Sequence, residues 1–106
     1  MAERRSPEAA WQAVQLARHQ ERPQTLDYIA QALPDFLELR GDRLHGDDRA
    51  VIGGLATLGK RRIVLIGHQK GHTLAERQEH SFGMARPEGY RKAMRLARLG
   101  EKFGLP

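Results

Sequence analysis

Apolar positions change their period along the chain, and each change predicts an element. Behind Ser6-Pro7, Trp11, Val14 and Ala17/Arg18 recur at helical spacing. Serine can cap a helix and proline is tolerated at its first position, so a helix is predicted near 7–18. The polar run His19-Gln20-Glu21-Arg22-Pro23 reads as a connector. Thr25 is then the expected cap of a second helix carrying Leu26, Ile29 and Leu33. Pro34 limits that helix, because its ring removes a donor and crowds the preceding turn. Phe36-Leu37-Glu38-Leu39 leads into a polar loop holding Gly41, Asp42, Gly46, Asp47 and Asp48. Aspartates in such a loop are expected to bond local backbone N–H groups.

From Val51 the pattern becomes that of strands. Val51–Leu58, the pair Gly59-Lys60 and Arg62–Ile66 predict an antiparallel hairpin, because a Gly-X pair between β-rich runs is a hairpin turn. The second strand is apolar throughout Ile63–Ile66, as expected of one covered on both faces. Residues 67–86 are polar and read as loop or only locally helical. From Pro87 the helical period returns, and Gly104 is a natural stop after Phe103. Tyr90, Ala93, Met94, Ala97 and Gly100 share one arc, adjoined by Leu96, Leu99 and Phe103, which is expected to pack on the hairpin. Arg91, Arg95, Arg98 and Lys102 form a basic stripe on the other side. Leu105-Pro106 falls where an α/β pattern would begin another strand.

Composition narrows the possibilities. The chain has 106 residues, 40% of them hydrophobic and 6% aromatic, enough for one modest core. No cysteine is present, which excludes disulfides and thiolate metal sites. No apolar run reaches the length of a membrane span, and Met-Ala-Glu-Arg-Arg-Ser lacks the apolar core of a signal peptide, so no membrane contact and a cytoplasmic location are expected. The net charge of +5 is uneven: residues 1–50 carry 7 Lys/Arg against 9 Asp/Glu, and residues 51–106 carry 11 against 4. The second half is therefore expected to face something anionic or an acidic partner.

Candidate chemistry concentrates at Gly67-His68-Gln69-Lys70-Gly71, where two glycines flank a lysine at a strand exit. Such a loop lets backbone approach a ligand, with Lys70 as a phosphate-facing charge, although it lacks the Gly-Lys-Ser/Thr ending of a Walker loop. The alternative is an exposed lysine at a glycine-rich turn. Arg86 and Tyr90 flank the proline-marked start of the last helix, whose free N–H groups suit an anion. His45, His68, His72 and His80 lack metal-ligand spacing, and the aspartates of the polar loop miss the calcium-loop template. No Ser/His/Asp or paired-carboxylate arrangement commits to catalysis.

The ordered blocks Val14–His19, Thr25–Ile29, Gly41–Leu44, Gly46–Asp48, Ile52–Leu55, Ile66–Gly71, Phe82–Met84, Pro87–Ala93 and Glu101–Pro106 resemble the α subunit of the carboxyltransferase of bacterial-type acetyl-CoA carboxylase. The resemblance implies an α/β, crotonase-like fold of repeated ββα units, incomplete here, with N-terminal helices. Residues 1–49 would be the helical segment and loop, and 50–106 the first ββα portion. The implied reaction moves a carboxyl group from carboxybiotin, held on a carrier protein, to acetyl-CoA, giving malonyl-CoA for fatty-acid synthesis. No cofactor would be bound directly.

The implied partners are a β subunit, in a heterotetramer of two α and two β, together with biotin carboxyl carrier protein and biotin carboxylase. Strand ends and helix N-termini are where ligands usually sit, so the substrate-binding surface of the complete enzyme is expected at Gly67, His68, Gln69, Lys70, Gly71, Arg86 and Tyr90. The resemblance places the catalytic Thr-Pro-Gly-Ala-Tyr and glycine-rich oxyanion segments beyond Pro106. The family's longer N-terminal extension is replaced by the leader Met1–Ala10. A truncated piece, inactive and weakly stable by itself, is the expectation. A small basic nucleic-acid-binding module or a non-catalytic scaffold is the alternative.

Overall fold

The computed structural model describes residues 6–106; Met1–Arg5, the first part of the expected leader, lie outside the described residues. The elements run α1 (Pro7–Ala17), α2 (Thr25–Ala32), β1 (Leu37–Glu38), β2 (Val51–Leu58), β3 (Arg61–His68), α3 (Leu74–Glu79), a 3-10 turn at Ser81–Gly83, and α4 (Pro87–Phe103). The architecture is α/β, with a three-stranded antiparallel sheet in the order β1-β2-β3.

Ser6 starts α1 as its residue type suggests, its hydroxyl accepting from the Ala9 N–H at 3.1 Å. The helix nevertheless buries nothing, and Trp11 and Leu16 lie exposed. At α2 the expected cap shifts by one residue. Thr25 is the first helical residue, and the Asp27 carboxylate accepts from the Gln24 N–H at 2.7 Å. The Thr25 hydroxyl is thereby free to donate to the His68 carbonyl at 2.6 Å, tying α2 to the end of β3.

The hairpin forms as the sequence predicts, with Leu58 opposite Arg61 across Gly59-Lys60 and a positive φ of 63° at Gly59. Its second strand continues two residues past Ile66, pairing Gly67 with Ile52 and His68 with Val51. Side chains alternate across a strand, so the two faces of the sheet take different helices. Ile52 and Ala56 on one face meet Ile29 and Leu33 of α2, with Leu26, Phe36, Ile63 and Leu65 packed around them. Full burial of such a side chain stabilises by about 1.5–3 kcal/mol. On the other face Leu96 of α4 lies against Gly53, where any Cβ would fall 2.2 Å from its Cδ1.

Two expectations need correction. Strand β3 is covered on both faces but remains at most half-buried, with Ile66 exposed, because β2 alone pairs along it among the described residues. At its outer edge the Pro106 carbonyl accepts from the Val64 N–H at 2.9 Å. The buried arc of α4 is Gly89, Lys92, Leu96 and Gly100, whereas Tyr90 and Met94 are 62% and 52% exposed. The helix is rotated because Lys92, a residue that an apolar pattern counts as surface, points inward.

What draws Lys92 inward is the Asp42–Asp48 loop. The Lys92 ammonium donates to Asp47 Oδ1 at 2.7 Å and to the carbonyls of Val51 and Asp48 at 2.6 and 3.2 Å. Asp48 is buried, accepting from the Ala50 N–H at 3.0 Å and from the Arg86 N–H at the start of α4 at 2.6 Å. Asp42 Oδ1 accepts three consecutive backbone N–H groups, those of Leu44, His45 and Gly46, and its Oδ2 accepts from Arg91 Nε at 2.7 Å. Burial pushes the Asp42 carboxyl up, but these donors outweigh it and hold it well below the usual carboxylate range. The expected local turn is thus also a clasp on α4.

Candidate functional site: the strand exit and a cationic cleft

The segment Gly67–Gly71 is built into the fold by two facing amides. Gln69 is buried at 4% exposure, its Oε1 accepting from the Leu26 N–H at 3.0 Å and its Nε2 donating to Gln24 Oε1 at 2.9 Å. The same Gln24 amide brackets Gly71, accepting from its N–H at 2.7 Å and donating to its carbonyl at 3.1 Å. Gln69 therefore orients the loop from below, one amide hydrogen and one oxygen lone pair being engaged in these bonds. Gly71 has a φ of +99°, and a Cβ there would lie 2.6 Å from the Glu76 carbonyl carbon, so the position admits only glycine.

His68 and Lys70 project away from this lock and are exposed. They line a cleft of about 370 Å³ together with Arg18 and Arg22 of the α1–α2 connector, Tyr28 of α2 and Arg77 of α3. Gly83 packs beside the stem of Lys70, a Cβ at that glycine being 3.4 Å from the Lys70 Cβ. Ser81 and Phe82, with φ of 50° and 56°, make the tight turn that delivers it. Arg86 and Tyr90 do not line this cleft. Arg86 gives its backbone N–H to Asp48, and Tyr90 stands on the exposed side of α4. The structure therefore groups the strand-exit loop with the connector and α3 instead of with the start of α4.

Sequence spacing had no means of finding Gln24, Arg18, Arg22 or Arg77, which lie far from the loop in sequence or on a helix too short to show a period. A signal for α3 did exist: Thr73-x-x-Glu76 is a capping box, with Glu76 N–H to Thr73 Oγ1 at 3.2 Å and Thr73 N–H to Glu76 Oε2 at 3.1 Å.

The histidines take separate tasks. His80 Nδ1 meets the Arg49 carbonyl at 2.6 Å, and His45 lies 3.9 Å from Glu88. Among the described residues no group of three or more His, Cys, Asp or Glu is placed to hold a metal. His72 Nε2 pairs with Asp27 Oδ2 at 2.7 Å, and its Nδ1 meets the Gln20 carbonyl at 3.0 Å. The hydrogen bond to the Asp27 carboxylate, then that to the Gln20 carbonyl, raises the His72 pKa; the His72 bond, then the Gln24 N–H, lowers that of Asp27.

The sign of the pH effect follows. The His72 contribution is complete below its unfolded value of about 6.5 and fades as pH rises through the higher folded value. The Asp27 contribution is complete above about 3.9 and fades as pH falls through the lower folded value. Thermal midpoints should therefore be flat between those limits and fall on the alkaline side, and His72→Gln should abolish that alkaline fall. A midpoint that keeps the same alkaline fall in His72→Gln would remove the pair as its cause.

The basic stripe of α4 divides. Arg91 is bound to Asp42, and Arg95 donates to the carbonyls of Gly41 and Arg40 at 2.9 and 3.2 Å, so half of it serves the clasp. Arg98 and Lys102 stay exposed. Among the described residues no helix is long and apolar enough to cross a membrane.

A sheet sandwiched between helices defines an α/β unit, and comparison with known proteins specifies its kind. A family model described as acetyl co-enzyme A carboxylase carboxyltransferase-like matches residues 6–106. The chain belongs to that family. Acetyl-coenzyme A carboxylase carboxyl transferase subunit alpha of Blochmanniella floridana is 56% identical over 98 residues, covering 92% of this chain and 31% of that protein. The subunit of the same name from Xylella fastidiosa (strain M12) is 58% identical over 98 residues with the same coverage. That of Rhizorhabdus wittichii is 56% identical over 96 residues, or 91% of this chain and 31% of the relative. The chain thus spans about a third of the length of these curated relatives. The nucleic-acid and scaffold alternatives find no support: the relatives are named as transferase subunits, and the stripe that suggested nucleic acid is half engaged within the fold.

Proposed function

We propose that this chain supplies the first ββα portion of a carboxyltransferase α subunit, of crotonase-like fold, which moves a carboxyl group from carboxybiotin to acetyl-CoA to give malonyl-CoA. The observation that carries the reading is the 56–58% identity, over 91–92% of the chain, to subunits of that name. The working assembly would join two such α subunits to two β subunits in the cytoplasm and receive carboxybiotin from biotin carboxyl carrier protein, charged by biotin carboxylase. The oxyanion donors of the reaction would come from segments outside these 106 residues, so this chain by itself is expected to turn over nothing.

Within that assembly the chain's own contribution is positioning. The Gln24–Gln69 amide lock fixes the strand exit, and Lys70 and His68 face outward from it. Lys70 would supply a positive charge to a CoA phosphate or to the carboxylate being transferred, as preorganised cations do where anions must be held. Arg86 and Tyr90, on the start of α4, would border the same substrate surface from the other side. The test is Lys70→Ala in the α subunit assembled with its β partner. A fall in kcat/KM of about tenfold or more is expected, which corresponds to one charge-assisted contact. Unchanged turnover and unchanged apparent affinity for both substrates would reduce the loop to a structural turn.

A further inference from the structure

Two clefts on this chain hold their charges in opposite ways. The larger, about 470 Å³, carries Asp27, Glu38, Glu76 and Glu79 beside Arg40, Arg49 and His72. Three of its four carboxylates are paired, in Arg40–Glu38, Arg49–Glu79 and His72–Asp27. The cleft at the strand exit, about 370 Å³, is lined by Arg18, Arg22, Lys70 and Arg77 with no acidic residue. None of those four forms a salt bridge among the described residues. Four like charges around one concavity repel each other and create a positive potential that only an anion relieves.

A second observation points the same way. Arg77 Nε is shut off from solvent and has no hydrogen-bond partner. A buried guanidinium N–H without an acceptor is destabilising, and such donors are normally satisfied. This one belongs to a residue lining the cleft. The cleft volume is at the small end of ligand pockets, which run from roughly 300 to 1,000 Å³. Arginine forks also match phosphate oxygens in geometry.

We propose that the cleft between the α1–α2 connector, the start of α2, the exit of β3 and α3 is a seat for the diphosphate group of a small molecule. Arg18 and Arg22 close on it from the connector, Lys70 from the strand exit and Arg77 from below, with Tyr28 as the apolar wall. A diphosphate ester brings about two to three negative charges, which the four cations match. The Gln24 amide couples the seat to the loop, since it holds Gly71 on one side and belongs to the cleft lining on the other. The proposal rests on the reading of Lys70 as a ligand-facing cation. Its test reads binding by the chain instead of turnover by the assembly, so either can fail without the other.

The experiment is calorimetric titration of the chain with inorganic pyrophosphate and with ADP, its fold checked by far-UV circular dichroism. Saturable one-to-one binding is expected, weakened by added salt and by at least about tenfold in Arg22→Gln/Lys70→Gln. Both of those side chains are exposed. If that double variant loses its fold, Arg18→Gln takes its place with the same expectation. ADP binding as tightly as pyrophosphate supports a nucleotide-borne diphosphate; pyrophosphate binding with ADP refused supports a free one. Absence of saturable binding with either probe overturns the proposal. So does an equal loss of binding in Arg98→Gln/Lys102→Gln on α4, which would show unspecific charge attraction.

Discussion

Replacing Lys92 with methionine is expected to abolish the cooperative unfolding transition of the chain. Lys92 is completely buried, and its ammonium supplies Asp47 and two backbone carbonyls at once. A methionine fills most of the same volume but donates nothing, leaving the carbonyls of Val51 and Asp48 without this donor. Breaking a buried pair by removing one partner costs about 3–5 kcal/mol. A whole small domain has about 5–15 kcal/mol to lose. Asp47→Asn should cost less, because the lysine keeps both carbonyls and Asp47 is itself partly exposed. Urea denaturation followed by circular dichroism makes the comparison. A Lys92→Met chain with the parent midpoint would show that the ammonium does not anchor α4.

Gly71→Ala is the second large effect, and it couples stability to the candidate site. At φ +99° an L side chain is strained, and its Cβ would overlap the backbone of Glu76 and Arg77 at 2.6 and 2.7 Å. Left-handed strain of about 1–2 kcal/mol adds to roughly 1–3 kcal/mol for overpacking. The relief available is outward movement of α3, which would pull Gly71 from the Gln24 amide and carry Arg77 away from the cleft. The expected signature is a lower urea midpoint together with faster amide exchange at Gln69 and Gly71. Native exchange rates at those two amides would mean that α3 yields without disturbing the loop.

The elements that sequence displays best are those whose signals are local. Gly59-Lys60 between two β-rich runs sets the hairpin, and Pro87 and Gly104 bound α4, because these features lie within a turn of the structure they specify. The phase of α4 is another matter. A lysine read as polar by any apolar pattern is as fully buried as Leu96 of that helix, and the distant loop 42–48 explains it. The site divides on the same line. Glycines around Lys70 are visible as a motif, whereas the Gln24–Gln69 lock joins residues 45 apart. Arg18, Arg22 and Arg77 look like ordinary surface charges until the connector and α3 close around Lys70. Tyr90 and Arg86 adjoin a recognisable helix start, and they do not line the cleft around Lys70.

The bond between Val64 and Pro106 sets a polarity on the sheet. Proline has no backbone N–H, so at this point the outer edge of β3 donates and the arriving chain can only accept. A strand side chain alternates faces with every residue, so one fixed contact sets the phase of whatever lies along that edge. A slip by a single residue would exchange inward and outward positions and would set a different residue against Val64. One acceptor-only contact thus acts as the indexing mark that sets which residue lies against Val64 on that edge.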